Sequence, residues 1–392
     1  MAFVSPGVPA DLVHAVRASF RSAYGRPADV VGRAPGRVNL IGEHTDYNAG
    51  LCLPVALPHA TCAAVARRDD DRVRIASRQE PRMWEGDLAS SGPGHPTEWA
   101  SYAAGVLWAL REAGHAVPGL DIYVDGTVPL GAGLSSSAAL ECSVAVAVAK
   151  LVGLEPSDDV RRELAAACVR AETEVAGAPT GGMDQTVSLL ARTDCALLID
   201  FDEHSTRQIE LDLEPAGLVL LVTDTRVTHS LNDGGYAARR ADCEHAVARL
   251  GVASLRQADL VDVEGLADER VRRRARHVVS EIARVELAVR AIEDADWARV
   301  GDLFEQSHAS MRDDFEISCP ELDAAVETAV EAGAVGARMT GGGFGGSSVA
   351  VVPQERVEAV ARAIDARFAA QGFRAPAHLR AVPSAPAGIC AD

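Results

Sequence analysis

The stretch from Arg33 to Pro54, RAPGRVNLIGEHTDYNAGLCLP, constrains this chain most. Pro35, Gly36, Gly42, Asn48 and Gly50 punctuate it, so it cannot run as one helix. Its short apolar run, Val38 to Ile41, reads as a strand or the edge of one. Arg33 and Arg37 precede or open that run, and Glu43, His44 and Asp46 fall on the turn beyond it. Turns held on a rigid scaffold are where function concentrates. Such side chains can ring a small polar substrate. The plainer reading is a surface turn with a chance cluster of charge.

A second segment, Pro129 to Leu140 (PLGAGLSSSAAL), follows the strand expected over Leu120 to Val128. Gly131 and Gly133 let backbone approach a ligand without an intervening side chain. Ser135, Ser136 and Ser137 open an apolar helix expected over Ala138 to Val152. The free N–H groups and positive end of such a helix suit a phosphate. No GKS or GKT follows the glycines, so this is not a Walker A loop. Ser136 stands where a dinucleotide fingerprint would need its third glycine. The alternative is a plain glycine turn with a serine cap.

Helical spacing covers Pro9 to Tyr24, Thr97 to Ala113 and Pro156 to about Val175, which ends near Glu172 and Glu174. Glycines and Pro179 break the last of these, and a short helix restarts at Met183 with Asp184 in its first turn, where an acid is favoured. Thr61 to Arg67 and Arg72 to Ser77 read as strands joined by a hairpin turn at Asp69 to Asp71. Cys195 to Phe201, Arg207 to Leu213 and Leu218 to Thr225 read as further strands. A flexible segment, THSLNDGGY, leads into helix from Tyr236. The basic run RVRRRARH at 270 to 277, with acids on either side, reads as a solvated helix face. Helices then cover Ile282 to Ile292, the region of Trp297 and Glu321 to Ala332. The glycine-rich GARMTGGGFGGSSVAVV (Gly336 to Val352) ends in a strand, and a last helix covers about Gln354 to Ala369.

A length of 392 residues suits two domains, with a boundary near 200: residues 1–200 and 201–392. A formal net charge of -18 argues against a broad nucleic-acid surface, while leaving room for a local basic site. The cysteines at 52, 62, 142, 168, 195, 243, 319 and 390 form no CxxC pair, which points to unpaired, mostly buried thiols in a reducing cytoplasm. Neither a signal peptide nor a membrane span is expected.

Taken together, these segments resemble the galactokinase branch of the GHMP small-molecule kinases. GRVNLIGEHTDYNAG (Gly36 to Gly50) is similar to the branch's signature, and PLGAGLSSSAAL to the family's ATP loop. AETEVAGAPTGGMDQ (Ala171 to Gln185) resembles its catalytic-aspartate segment, and GARMTGGGFGGS (Gly336 to Ser347) its third motif. The likeness runs through nearly the whole chain in the expected order. It implies an α+β, two-domain GHMP kinase fold: a mixed-sheet N-terminal domain, a ferredoxin-like C-terminal domain and a cleft between them. The docking of the tail is left open, with a return to the first domain as one alternative.

The resemblance also implies roles. Asp184 would be the catalytic aspartate and Arg37 its partner, both near the substrate. Glu43, His44, Asp46, Gly182 and Tyr236 would contact the sugar. Pro129, Gly131, Ala132, Gly133, Leu134, Ser135, Ser136, Ser137 and Ala138 would hold ATP. Ser136 or Ser137, with Glu172, would hold Mg2+. The implied reaction opens galactose catabolism: α-D-galactose and Mg-ATP give α-D-galactose 1-phosphate and ADP, in the cytoplasm, without nucleic acid or membrane; the oligomeric state is left open, with a monomer as one alternative. Thr180 and Gly182 depart from the usual Cys and Ile of the aspartate segment, and Ser347 from a frequent Cys. Gly234, Gly235 and Ala237 loosen the setting of Tyr236, which leaves the sugar pocket least determined. The chemistry fits this assignment. A sugar hydroxyl needs a base such as Asp184 and placement in line with the γ-phosphoryl group, and Arg37 can keep that base ionised or stabilise transferring charge. Magnesium takes oxygen ligands, which a serine, Glu172 and phosphates supply. The rival readings are a kinase for N-acetylgalactosamine or arabinose, and a non-enzymatic galactose and ATP sensor. The intact Ser137, Ala138, Asp184 and Arg37 argue against the sensor.

Overall fold

A computed structural model describes residues 3–227 and 234–391. Six residues of the expected loop, 228–233, lie outside them. The chain begins with α1 (Pro9–Tyr24), which buries Val16 and Phe20 and ends at a left-handed Gly25. Then come β1 (Val30–Asn39), β2 (Leu51–Cys52), β3 (Pro54–Arg67), β4 (Arg72–Ser77), β5 (Trp84–Asp87), α2 (Ala100–Glu112) and β6 (Leu120–Gly126). Next are α3 (Ser136–Leu151), α4 (Asp158–Arg170), α5 (Met183–Leu190) and the hairpin of β7 (Cys195–Asp200) with β8 (Ser205–Glu210). The second half holds β9 (Leu218–Asp224), α6 (Gly235–Leu250), α7 (Leu260–Glu264), α8 (Glu269–Glu293), α9 (Trp297–Ala309), α10 (Pro320–Glu331), β10 (Gly336–Thr340), β11 (Ser347–Pro353), α11 (Val357–Gln371), β12 (Ala377–Ala381) and β13 (Gly388–Ile389).

The first sheet has the order β13-β1-β3-β6-β4-β5 and is mixed, since β4 runs parallel to β6. Helix α3 packs on β1 and β3, and α1 packs against β3 and β6 through a separate small core. Arg33 to Ile41 opens differently from the expected short strand. β1 already starts at Val30 and passes through Pro35 and Gly36, because its register against β3 shifts between Pro35 and Arg37. Proline is tolerated at such a bulge.

The second sheet has the order β10-β11-β9-β12, antiparallel throughout. A β9–helices–β10–β11–α11–β12 path in this order is a ferredoxin-like domain. Alternation along β9 explains its two faces. Leu221 joins the core under α10 and α11, while Leu220 and Val222 join a larger core shared with Val38, Leu40 and Ile41 of the first half. That shared core fixes the signature turn against the second sheet.

Two expectations are corrected. The turn at Asp69 to Asp71 is not a hairpin: β6 inserts between β3 and β4 and pairs with both. Nor is the basic run at 270 to 277 simply a solvated face. Arg274 and His277 are buried, Arg274 against Glu316 and the Asp314 carbonyl, and His277 against Ser310 and the Glu43 carbonyl. The acids that neutralise the run are partly its tertiary neighbours rather than its sequence neighbours. Residue 200 falls at the end of β7, where the chain turns into β8, and the tail after Pro383 returns to the first sheet, where β13 pairs with β1. No helix among the described residues is long and apolar enough to cross a membrane.

Candidate active site

A cavity of about 340 Å³ opens where the signature turn, the glycine–serine loop, the start of α5 and the β10–β11 turn meet. The turn after β1 is set by Thr45, whose hydroxyl bonds the carbonyls of Gly42 and Leu51, and by Asn48, whose amide donates to the His44 carbonyl. Gly131 and Gly133 take positive φ angles of 73° and 70°, which a tight loop between β6 and α3 requires. Ser135 (φ 61°), His44 (φ 60°) and Phe344 (φ 61°) hold left-handed conformations that non-glycine residues rarely adopt. Such strain clusters at functional sites.

Arg37 is the hub. Its Nε and Nη2 both approach Asp184 Oδ1 at 2.8 Å, and its Nη1 donates to the Gly133 carbonyl at 2.6 Å. The other Asp184 oxygen accepts the hydroxyl of Ser135. Ser135 thus occupies the N-cap position of α3 without capping it, because its side chain is engaged by Asp184 instead. One arginine ties β1, the loop and α5 together.

Carboxylates crowd this cation. The end of α4 widens into a π-turn, Ala171–Val175, which carries Glu172 toward the loop. Such turns recur at functional sites. Burial, then the charge of Asp184, pushes Glu172 up to about 7, against the Ser137 hydroxyl and the Gln185 amide, which favour its charged form. Gln185 Nε2 reaches Glu172 at 2.6 Å and Glu141 at 3.0 Å. Glu141 is fully buried, and burial holds its carboxyl well above the usual range. Burial, then Asp184, also raises Asp46 to about 6.

On the signature side, His44 Nε2 faces the Gly342 carbonyl at 3.2 Å, so that nitrogen carries the proton, and Nδ1 accepts from the Tyr47 hydroxyl at 2.8 Å. Burial, then the neighbouring His277, lowers His44 to about 3, so the ring is neutral. The Tyr236 ring lies 5.0 Å from it. Glu43 lines the cavity but is almost wholly engaged: one oxygen takes the Gly341 N–H and the Thr340 hydroxyl, the other Arg338.

Of the residues singled out from the sequence, Arg37, Glu43, His44, Asp46, Gly131, Gly133, Leu134, Ser135, Ser136, Ser137, Glu172, Asp184 and Tyr236 all line this cavity. Four stand back from it. Gly182 precedes α5, Ala138 is inside α3, Ala132 is buried behind the loop, and Pro129 lines a neighbouring cavity with Arg226 and Arg374. Tyr47, Gln185, Glu141, Arg338 and Gly181 were missed. The MDQ run carries Gln185 beside Asp184, which was a usable signal. The others depend on distant partners. Among the described residues no three His, Cys, Asp or Glu side chains gather to hold a metal by themselves.

Residues 18–67 match the model for the galactokinase galactose-binding signature, 101–192 that for the GHMP kinase N-terminal domain, and 288–370 that for the GHMP kinase C-terminal domain. The chain is 50% identical over 375 residues to a galactokinase of Streptomyces coelicolor, covering 94% of this chain and 96% of that one. It is 43% identical over 360 residues to one of Mycobacterium tuberculosis, covering 91% and 98%. Among solved structures, Lactococcus lactis galactokinase complexed with galactose superposes with a TM-score of 0.90 at 29% identity, over 96% of this chain and 99% of that one. Methanococcus jannaschii mevalonate kinase, at 16% identity and a TM-score of 0.67, shares the fold. With these matches running through both halves and meeting at the Arg37–Asp184 cavity, the chain belongs to the galactokinase family of GHMP kinases.

Proposed function

We propose that this cavity carries the γ-phosphoryl group of ATP to the 1-hydroxyl of α-D-galactose, with Asp184 as base and Arg37 as its partner. The chain is an ATP-dependent galactose kinase, making α-D-galactose 1-phosphate and ADP. The observation that carries the assignment of residues is the Arg37 side chain, which binds Asp184 and the phosphate loop at once. A hydroxyl deprotonated at Asp184 therefore emerges beside the loop that would grip the phosphates. Arg37 can follow charge as it moves from the sugar oxygen to the phosphoryl group.

Asp46, on one side of Asp184, offers acceptors for ring hydroxyls, while Tyr236 presents a ring face. His44 is spent on Tyr47 and Gly342 and acts through its ring wall. On the other side, Ser136, Ser137 and Glu172 offer oxygen donors in the proportion magnesium takes alongside phosphate oxygens. Glu172 and Ser137 line the same cavity, and the Ser137 hydroxyl favours the charged carboxylate, so the donor set fits the ion. Bound there, Mg2+ would neutralise phosphate charge. Glu172 must shed its proton for this, which a titration near 7 allows. Free cysteines suit a reducing cytoplasm.

ADP release by the purified protein tests the reading. We expect turnover with galactose, far less with glucose, and none without a divalent cation. Equal use of both sugars would sink the sugar assignment, and full turnover in chelator would remove the roles of Glu172 and the serines.

A further inference from the structure

We infer that Ser347 is a positioning residue for the nucleotide phosphates, acting through the carbonyl of Ala132. The inference rests on the reading of Pro129 to Ala138 as the phosphate loop. A peptide loop grips an anion with its N–H groups, and any carbonyl turned the same way repels it. Such a loop therefore needs its carbonyls held elsewhere.

Three successive carbonyls here are held from behind. Ala132 O accepts the Ser347 hydroxyl at 2.7 Å, Gly133 O accepts Arg37 Nη1 at 2.6 Å, and Leu134 O accepts the Arg37 backbone N–H at 3.1 Å. Two of these bonds come from β1. The third comes from the other sheet. Ser347 opens β11, is fully buried, and pairs with Thr340 on β10 and Asp224 on β9. The residue before it is fixed at both ends: Gly346 O accepts the backbone and hydroxyl of Thr225, and Gly346 N donates to Val227 O. The hydroxyl is thus delivered by a rigid strand end.

Removing that hydroxyl leaves a buried carbonyl without its partner. The Ala132–Gly133 peptide ends on Gly133, already at positive φ, with Gly131, also at positive φ, one residue before it, so it can rotate to seek another donor. Rotation turns the carbonyl toward the cleft and the Gly133 N–H away from it. The cost falls on phosphate, not on the sugar or the base. The frequent Cys of the family at this position would supply a weaker S–H donor.

Calorimetry on the full chain tests this with ATP, ADP, adenosine and galactose. Ser347→Ala should weaken ATP and ADP roughly tenfold. Adenosine and galactose affinity should stay unchanged. The KM for ATP should rise, with kcat at saturation within about twofold of the starting protein. Ser347→Cys should fall between the two, and decides alone if Ser347→Ala does not fold. Ser348→Ala, the next buried serine on the opposite face of β11, should change nothing. Unchanged ATP affinity in Ser347→Ala, equal losses for adenosine or galactose, or the same loss in Ser348→Ala would each overturn the proposal. If ADP binds no tighter than adenosine in the unaltered chain, the phosphate-loop reading itself fails, which is a separate result.

Discussion

Arg37 directs both Nε and Nη2 at a single oxygen of Asp184, Oδ1, and leaves Oδ2 to the Ser135 hydroxyl. The carboxylate is therefore oriented by two groups that do not compete for the same lone pairs. Asp184→Asn keeps the shape but loses the proton acceptor. Its turnover should fall on the order of 10²–10⁴-fold, with galactose affinity retained. Arg37→Lys keeps a charge but cannot reach Asp184 and the Gly133 carbonyl in one geometry, so it should lose kcat and raise the KM for ATP together. Single-turnover kinetics and melting temperature check both variants. If both fall in stability and galactose affinity alike, the pair is a scaffold and not the chemistry.

Gly181 lies against the Asp46 carboxylate so closely that a Cβ there would stand 2.1 Å from Oδ2. No backbone strain forbids alanine, so the effect should be local. Gly181→Ala must displace the Asp46 side chain, the softer partner. We expect the KM for galactose to rise roughly tenfold or more, a loss in line with one disturbed charge-assisted hydrogen bond. The KM for ATP should hold steady. A matching rise in both constants would show that the substitution had moved α5 rather than Asp46.

Asp46 also makes the ligand-free site costly. It titrates near 6 when folded, from burial and then Asp184, and near 3.9 in an unfolded chain. Below about 3.9 it is protonated in both states and the penalty is absent. As pH rises through 6 the folded chain must ionise a half-buried acid, and stability is lost. Asp46→Asn should therefore raise stability at pH 8 by on the order of 1–3 kcal/mol, with the gain shrinking toward pH 4. Galactose affinity should fall in the same variant, the usual exchange of stability for function. Denaturant melts at the two pH values measure this, and an equal gain at both would show that ionisation is not the cause.

The signature turn, the phosphate loop and Asp184 were legible because each lies within a short run whose glycines and polar residues speak for themselves. Arg338 was not, since it stands in an apolar-looking strand and its partner Glu43 is 295 residues away. Glu141 reads locally as one polar residue on an apolar helix, and only Gln185 reaching across from α5 shows its use. The pairing of β3 and β4 was misread for a similar reason. A short acidic connection between two strands looks the same whether they pair or admit a third, and β6 arrives from 43 residues after β4 ends. The tail could be left only as alternatives, because two residues of β13 carry no periodicity to read.

Arg338 supplies the last test. It is wholly buried, with Nη2 on Glu43 and near Glu281 Oε1 at 3.5 Å, and Nη1 on the Leu40 carbonyl at 2.8 Å. Glu281 is further held by Arg284, Ser307 and the Gly42 N–H. Arg338 thus joins the signature turn, β10 and α8 at the junction of the two sheets. Replacing it with methionine keeps much of the volume but strips a guanidinium from two buried acids. Breaking a buried pair from one side costs about 3–5 kcal/mol. Glu281 retains Arg284, so Glu43 should bear most of that loss. Arg338→Met should destabilise by this amount in urea, and Glu43→Gln in the same chain should recover part of it, because the stranded charge is gone. The single variant should also weaken galactose, since Glu43 lines the cavity and would turn to seek solvent. A loss below about 1 kcal/mol, typical of an exposed pair, would show that water already reaches this junction.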